Sequence, residues 1–172
     1  MTTFENWRTI SEYPNYQVSN IGRVMNIKTS RILKTYINRG GHESVILCKK
    51  LDVKTNICHR LVAHEFIDNP NNKLYVDHVD RNKLNNDIDN LRWVTHQENM
   101  MNKTKANNTT SKYKGVSGDI NNWKAHICIK GHQRYLGTFR YENNAARAYN
   151  VKALELFGEY ANLNNVAEPT QE

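Results

Sequence analysis

Apolar residues along this chain come in short runs separated by polar turns, and the period of those runs changes from one region to the next. In the first region, Trp7 to Ile10 leads into Tyr16 to Val24, with Asn20 to Gly22 as a turn between short strands. Further strand-like runs cover Ile32 to Ile37 and Ser44 to Cys48, with Gly40-Gly41 between them. The period then becomes helical. Leu61, Val62, Glu65 and Phe66 predict a short helix over His59 to Ile67, ended by Asn69-Pro70.

The apolar runs Leu74 to Val76 and Leu91 to Val94 read as two strands around a polar loop. Thr95 and Glu98 have the capping-box spacing that starts a helix. Lys103 to Ser111 is polar and basic and reads as a linker. Beyond it, strands are predicted at Tyr113 to Ser117, Trp123 to Lys130 and Gln133 to Phe139, with turns at Gly118 to Asn122 and Gly131-His132. Trp123 to Lys130 alternates strictly: Ala125, Ile127 and Ile129 face one side, and Lys124, His126, Cys128 and Lys130 the other. Glu142 to Phe157 is helical, with Ala146, Tyr149, Ala153 and Leu156 as its apolar stripe and Gly158 as a stop. The expected class is α+β: a small β-rich N-terminal module, a strand-loop-strand-helix centre, and a three-stranded antiparallel sheet packed on one helix.

Composition narrows the partner. A chain of 172 residues with a formal charge of +7 has room for one to three small modules and favours a polyanion such as nucleic acid. Its three cysteines, Cys48, Cys58 and Cys128, are far apart and odd in number, so reduced thiols in an intracellular protein are expected. No apolar run approaches a membrane span, and the N-terminal residues do not read as a signal peptide.

The chemistry concentrates in the centre. Asp77 and His78 follow the first central strand, Asn90 precedes the second, and Asn99 falls on the first turn of the next helix. Such a fold would gather Asp77, His78 and Asn99. A histidine titrates near neutrality and serves as a base. A carboxylate and an amide oxygen suit Mg²⁺. Together they suit hydrolysis of a phosphodiester. His59, His64 and His96 are read as surface or packing histidines, and Arg60 as a surface charge.

The ordered pattern HRLVAHEF…VDHVDRNKLNN…NLRWVT…EN resembles the HNH nucleases, in the form found in phage and intron homing endonucleases. The resemblance implies a ββα-metal site with His78 as general base, Asp77 and Asn99 as metal ligands, and Asn90 bracing the loop that aims His78. Asn99 stands where the family's last letter has His, which favours Mg²⁺ or Mn²⁺ over softer ions. No CxxC pair exists, so the structural zinc of some members is not expected.

Two flanking resemblances complete the picture. W-x-x-I…YQVSN-x-GRV resembles the nuclease-associated modular domain often fused to these enzymes, which implies a part in DNA binding. Arg23, Lys28, Arg31 and Lys34 are its candidate phosphate contacts. The segment YKGV…WKAHI…YLGTF…AARAY resembles the DNA-binding domain of plant APETALA and ethylene-response factors, whose sheet enters the major groove. That implies Lys114, Trp123, Lys124, His126, Lys130, Gln133 and Tyr135 as DNA-binding candidates. Ser117, Asp119 and Cys128 replace arginines there, so guanine readout at those positions is lost.

The expected boundaries are 1–50 for the nuclease-associated module, 51–103 for the nuclease, 104–111 for the linker, 112–164 for the APETALA-like domain and 165–172 for a tail. The expected function is a site-specific DNA endonuclease of the homing type, phage-encoded or carried by a mobile element. It would cut double-stranded DNA with Mg²⁺ or Mn²⁺ to 5′-phosphate and 3′-hydroxyl ends. A monomer on DNA is expected, with a dimer as the alternative, in the cytoplasm of a bacterial host if phage-encoded. The competing reading is a sequence-specific DNA-binding regulator with an inactive nuclease core.

Overall fold

The computed structural model describes residues 4–102 and 110–167. The chain divides into two compact units, Met1–His96 and Gln97–Glu172.

The first unit is built from hairpins. Strands β1 (Trp7–Ile10), β2 (Tyr13–Ser19), β3 (Val24–Asn26) and β4 (Arg31–Ile32) form an antiparallel meander in chain order. The turn expected at Asn20 to Gly22 joins β2 to β3, with Gly22 at φ +91°. The run expected from Ile32 to Ile37 is not one strand. It divides between β4 and β5 (Tyr36–Ile37), and β5 joins a second sheet with β6 (Glu43–Lys49) and β7 (Asp52–Ile57). Helix α1 (Cys58–Phe66) follows at once and buries Cys58, Leu61, Val62 and Ala63. Strands β8 (Tyr75–His78) and β9 (Leu91–Val94) then pair as a two-stranded hairpin.

One core runs through all of this. Ile10, Val18 and Val24 pack with Val45, Leu47, Leu61, Val62 and Leu91. Each such side chain contributes about 1.5–3 kcal/mol on burial. The expected border at residue 50 lies between β6 and β7, inside a hairpin, and residues on both sides of it share this core. Polar ties hold α1 in place. Glu65 accepts from the backbone N–H and the hydroxyl of Ser11, and the Trp93 indole donates to the Ile67 carbonyl at 3.0 Å.

Helix α2 (His96–Asn102) starts where the capping-box pattern puts it. Of the expected linker, residues 104–109 lie outside the described residues, as do 168–172 of the expected tail. The second unit continues with β10 (Val116–Asp119), β11 (Asn122–Ile129) and β12 (His132–Phe139), an antiparallel sheet in chain order, and α3 (Glu142–Phe157). The β11–β12 turn is Lys130-Gly131, both at positive φ, one residue earlier than expected. The first strand starts at Val116 rather than Tyr113, because Gly115 breaks the run at φ +73°. A side chain there would meet the Tyr149 ring at 2.2 Å.

Helix α3 lies on the apolar face of this sheet. Ala145, Ala146, Tyr149, Ala153 and Phe157 are buried, while Leu156 is exposed, so Phe157 takes the place expected for Leu156. The small alanines let the helix approach Ala125 and Ile127 of β11. Among the described residues no helix is long and apolar enough to cross a membrane.

Candidate active site

Strand β8 ends on Asp77-His78, and its pairing with β9 sets Asp77 opposite Arg92 and His78 opposite Leu91. Both are buried, at 8% and 5% exposure. The Asp77 carboxylate is engaged by Arg92, whose Nη2 and Nε lie 3.0 and 3.2 Å from Oδ2. This pair is cross-strand and local, so it holds the β8 end against β9.

The loop between the strands is closed by Asn90. Its amide nitrogen donates to Asp80 Oδ1 at 2.9 Å and to the Asn85 carbonyl at 2.8 Å, while its oxygen accepts from the Asp80 backbone N–H at 2.9 Å. Asp80 also accepts from Asn85 and from the Asn82 backbone N–H. Burial pushes the Asp80 carboxyl up, but those hydrogen bonds together hold it below the usual range. The Asn-rich loop is therefore a set of side-chain-to-backbone closures rather than a loose turn.

That closure carries Asn86 under His78. Asn86 Oδ1 lies 3.4 Å from His78 Nε2, and its amide nitrogen donates to Glu43 Oε2 at 2.8 Å. Thr35 donates to the other Glu43 oxygen. Gly22 makes the room: a Cβ there would lie 2.5 Å from the Asn86 Cβ. Burial lowers the His78 pKa; the Asn86 hydrogen bond and the charges of Asp80 and Asp77 oppose that shift.

Two more imidazoles stand beside His78. His59, at the start of α1, meets it edge to face with ring centroids 4.7 Å apart, and His42, just before β6, lies 6.1 Å away and 4.9 Å from His59. His59 is buried rather than at the surface, and its pKa is pushed down to about 3, by burial first and then by His78, His42 and Arg60. Sequence reading passed over His42 and Glu43, which lie far from the His78 motif along the chain, and took Gly22 only as part of a turn. It left Asn86 within the polar loop between the two central strands.

Asp77, His78 and Asn90 thus come together at the end of the β8–β9 hairpin. Asn99 is half-buried in the first turn of α2, in the second compact unit. The donors assigned to an ion are oxygens, which fit a hard cation such as Mg²⁺; Arg92 shares the Asp77 carboxylate.

The DNA-binding candidates are scattered by the fold. Strand register puts Lys124, His126 and Cys128 on one face of the second sheet with Gln133, Tyr135 and Thr138. Tyr135 is exposed, and its ring lies 5.5 Å from that of His126. Lys130 is exposed in the turn. Trp123 is on the opposite face, packed on the core with Phe139, so its aromatic surface serves packing. Lys114 donates to the Met101 carbonyl at 2.7 Å. Arg23 is ion-paired to Glu5 and lies over the Trp7 ring, because both partners are close across the first sheet. Lys28 is exposed.

Two family models match the chain: HNH endonuclease over residues 57–101 and the NUMOD4 motif over residues 5–48. The chain is 44% identical over 98 residues to the DNA endonuclease I-HmuI of Bacillus phage SP01, covering 56% of each protein. It is 41% identical over 93 residues to the uncharacterized HNH endonuclease L245 of Acanthamoeba polyphaga mimivirus, covering 54% of this chain and 28% of that one. A solved structure of DNA binding and cleavage by the HNH homing endonuclease I-HmuI matches with a TM-score of 0.53 at 44% identity, over 56% of each chain. The chain spans about half the length, or less, of these relatives. The segment matched by the HNH endonuclease model, residues 57–101, contains the β8–β9 hairpin with its Asp77-His78 end and the closing Asn90, and through it the chain is similar to the HNH endonucleases.

Proposed function

We propose that the chain is a site-specific DNA endonuclease of the homing type, hydrolysing a DNA phosphodiester to 5′-phosphate and 3′-hydroxyl ends. The observation that carries this is a buried histidine at a strand end, aimed by Asn86 and Glu43 and joined to a buried carboxylate one residue before it. The relatives named for DNA cleavage support the same reading.

His78 acts as general base. Glu43 orients the Asn86 amide so that its oxygen faces His78 Nε2, which makes that nitrogen the donor. The other ring nitrogen takes a proton from water, and the hydroxide attacks phosphorus in line with the 3′ oxygen. The P–O3′ bond breaks and the 3′ oxygen leaves as it is protonated. Asp77 and Asn99 would hold Mg²⁺ or Mn²⁺, which when bound offsets the charge developing on the leaving oxygen. Asn90 closes the loop and so keeps Asn86 and His78 in register. One such site serves one strand, so a monomer nicks; a double-strand break needs a second site or a second visit.

The second unit is read as an APETALA-like DNA-gripping module. Lys124, His126, Gln133 and Tyr135 share its open sheet face, and Lys130 lies at the rim. In the first unit Lys28 stays available to phosphate, while Arg23 must leave Glu5 to reach it.

The test is nicking of supercoiled plasmid with Mg²⁺ beside a binding assay. His78→Ala is expected to lose about 10²–10⁴-fold in rate, the usual worth of a general base, and to bind DNA as before. Asn99→Ala is expected to lose cleavage and keep binding. Robust binding with no His78-dependent cleavage would instead identify a regulator with an inactive core.

A further inference from the structure

We propose that His42, His59 and His78 form a binding site for one transition ion of the zinc type, separate from the oxygen donors Asp77 and Asn99, and that filling it stops cleavage by occupying His78. The second half rests on His78 being the general base.

Each histidine comes from a different element: His42 precedes β6, His59 opens α1, and His78 ends β8. One ligand nitrogen from each lies within 4.8 Å of the others. Tetrahedral zinc with bonds of about 2.0–2.1 Å holds its nitrogens roughly 3.4 Å apart, so small ring rotations close the site. Packing alone does not account for the cluster. His59 Nδ1 is buried with no hydrogen-bond partner among the described residues, where a buried polar atom is ordinarily paired. A metal ion satisfies such a nitrogen.

The donor chemistry selects the ion. Three imidazoles favour Zn²⁺, Ni²⁺, Co²⁺ or Cu²⁺ over Mg²⁺, which takes oxygen. Asn86 links His78 to the Glu43 carboxylate, the kind of outer support that orients a metal-bound histidine. Lys83, bonded to the Gly40 carbonyl, opposes a cation here; Glu43 and Asp80 offset it. His42 is half-buried, which leaves the site a route to solvent. The site differs from a cysteine-based structural zinc: the core is already filled without it, and its occupation competes with chemistry rather than holding the fold.

The experiment titrates Co²⁺ into the full chain in metal-free buffer and reads the visible bands of tetrahedral cobalt. One ion per chain is expected, displaced by Zn²⁺ and not by millimolar Mg²⁺. His42→Phe keeps a ring and removes the donor; it should weaken Co²⁺ at least about tenfold. His59→Asn is the second variant, and circular dichroism checks that both are folded. In plasmid cleavage with Mg²⁺, added Zn²⁺ should slow the native chain at least about tenfold. His42→Phe, measured against its own zinc-free rate, should slow less than about twofold. Absence of tetrahedral bands, native affinity in the folded His42→Phe chain, or equal silencing of that variant by Zn²⁺ would overturn the proposal. Failure of the base assignment has a different signature: His78→Ala would cut at the native rate without zinc, while the cobalt bands would still report on the imidazoles.

Discussion

At the scale of single residues, the site depends on groups that have no chemistry of their own. Gly22 is one. Its φ of +91° and the 2.5 Å approach of the Asn86 Cβ leave no place for a side chain. Gly22→Ala is expected to cost about 1–3 kcal/mol through backbone strain and to slow plasmid cleavage beyond that by moving Asn86 off His78. Urea midpoints and nicking rates measure the two effects, and unchanged cleavage would separate Gly22 from the site. His59 sets an acid limit on folding. In the unfolded chain it takes a proton near pH 6.5, as ordinary histidine does; in the folded chain burial holds its pKa down to about 3. Between those values the unfolded state binds one more proton, so stability falls as pH falls, by about 1.4 kcal/mol per unit. With chelator present, His59→Phe should flatten urea midpoints measured between pH 7 and pH 5. An equal slope in the variant would move the effect to another group.

At the scale of elements, periodicity located nearly every helix and strand but not which turn of a helix is buried. The helix Glu142–Phe157 matches its expected bounds, yet Leu156 faces solvent and Phe157 the core. Successive positions on a helix differ by about 100°. Only the angle at which α3 meets the sheet chooses between neighbours. Phe157→Ala is expected to cost about 3–5 kcal/mol, and Leu156→Ala less than about 1 kcal/mol, in thermal or urea unfolding. The reverse ranking would contradict the packing described. The alternation of β11 predicted its buried face without error, because a strand has two faces and a helix has many. What no pattern announced is the end of the chain folding back: Asn164 exchanges hydrogen bonds with Lys114 backbone groups and with Asn150. Asn164 stands among Asn162, Leu163, Asn165 and Val166, and nothing in that neighbourhood names its partners.

At the scale of the whole molecule, the charge of +7 is spread over both units, and the DNA-binding reading gives the second unit a share of the grip. Deleting the chain from Ser111 onward is expected to lower DNA affinity and to make its dependence on salt shallower, since fewer phosphates are neutralised. The chemistry of His78 should survive. Affinity measured across a salt series and the map of cut sites are the readouts; an identical slope and map would make that unit dispensable. The division at His96 differs from the expected three modules because the N-terminal sheets and the β8–β9 hairpin share one core from Ile10 to Leu91. Two modules of about fifty residues each are small to be stable alone, and merging them buries more apolar surface.

Local order along the chain was enough to determine most of the elements, the Asp77-His78 strand end and the open face of the second sheet, because each is written in residues close together; the role of Asn90 came only with the family resemblance. Tertiary structure alone decided who surrounds His78. Glu43, Gly22, His42 and His59 reach it across separations of 19 to 56 residues, through pairing of distant hairpins on one core. Nothing in a residue's own neighbourhood encodes a partner that far away; packing of the apolar faces brings them there.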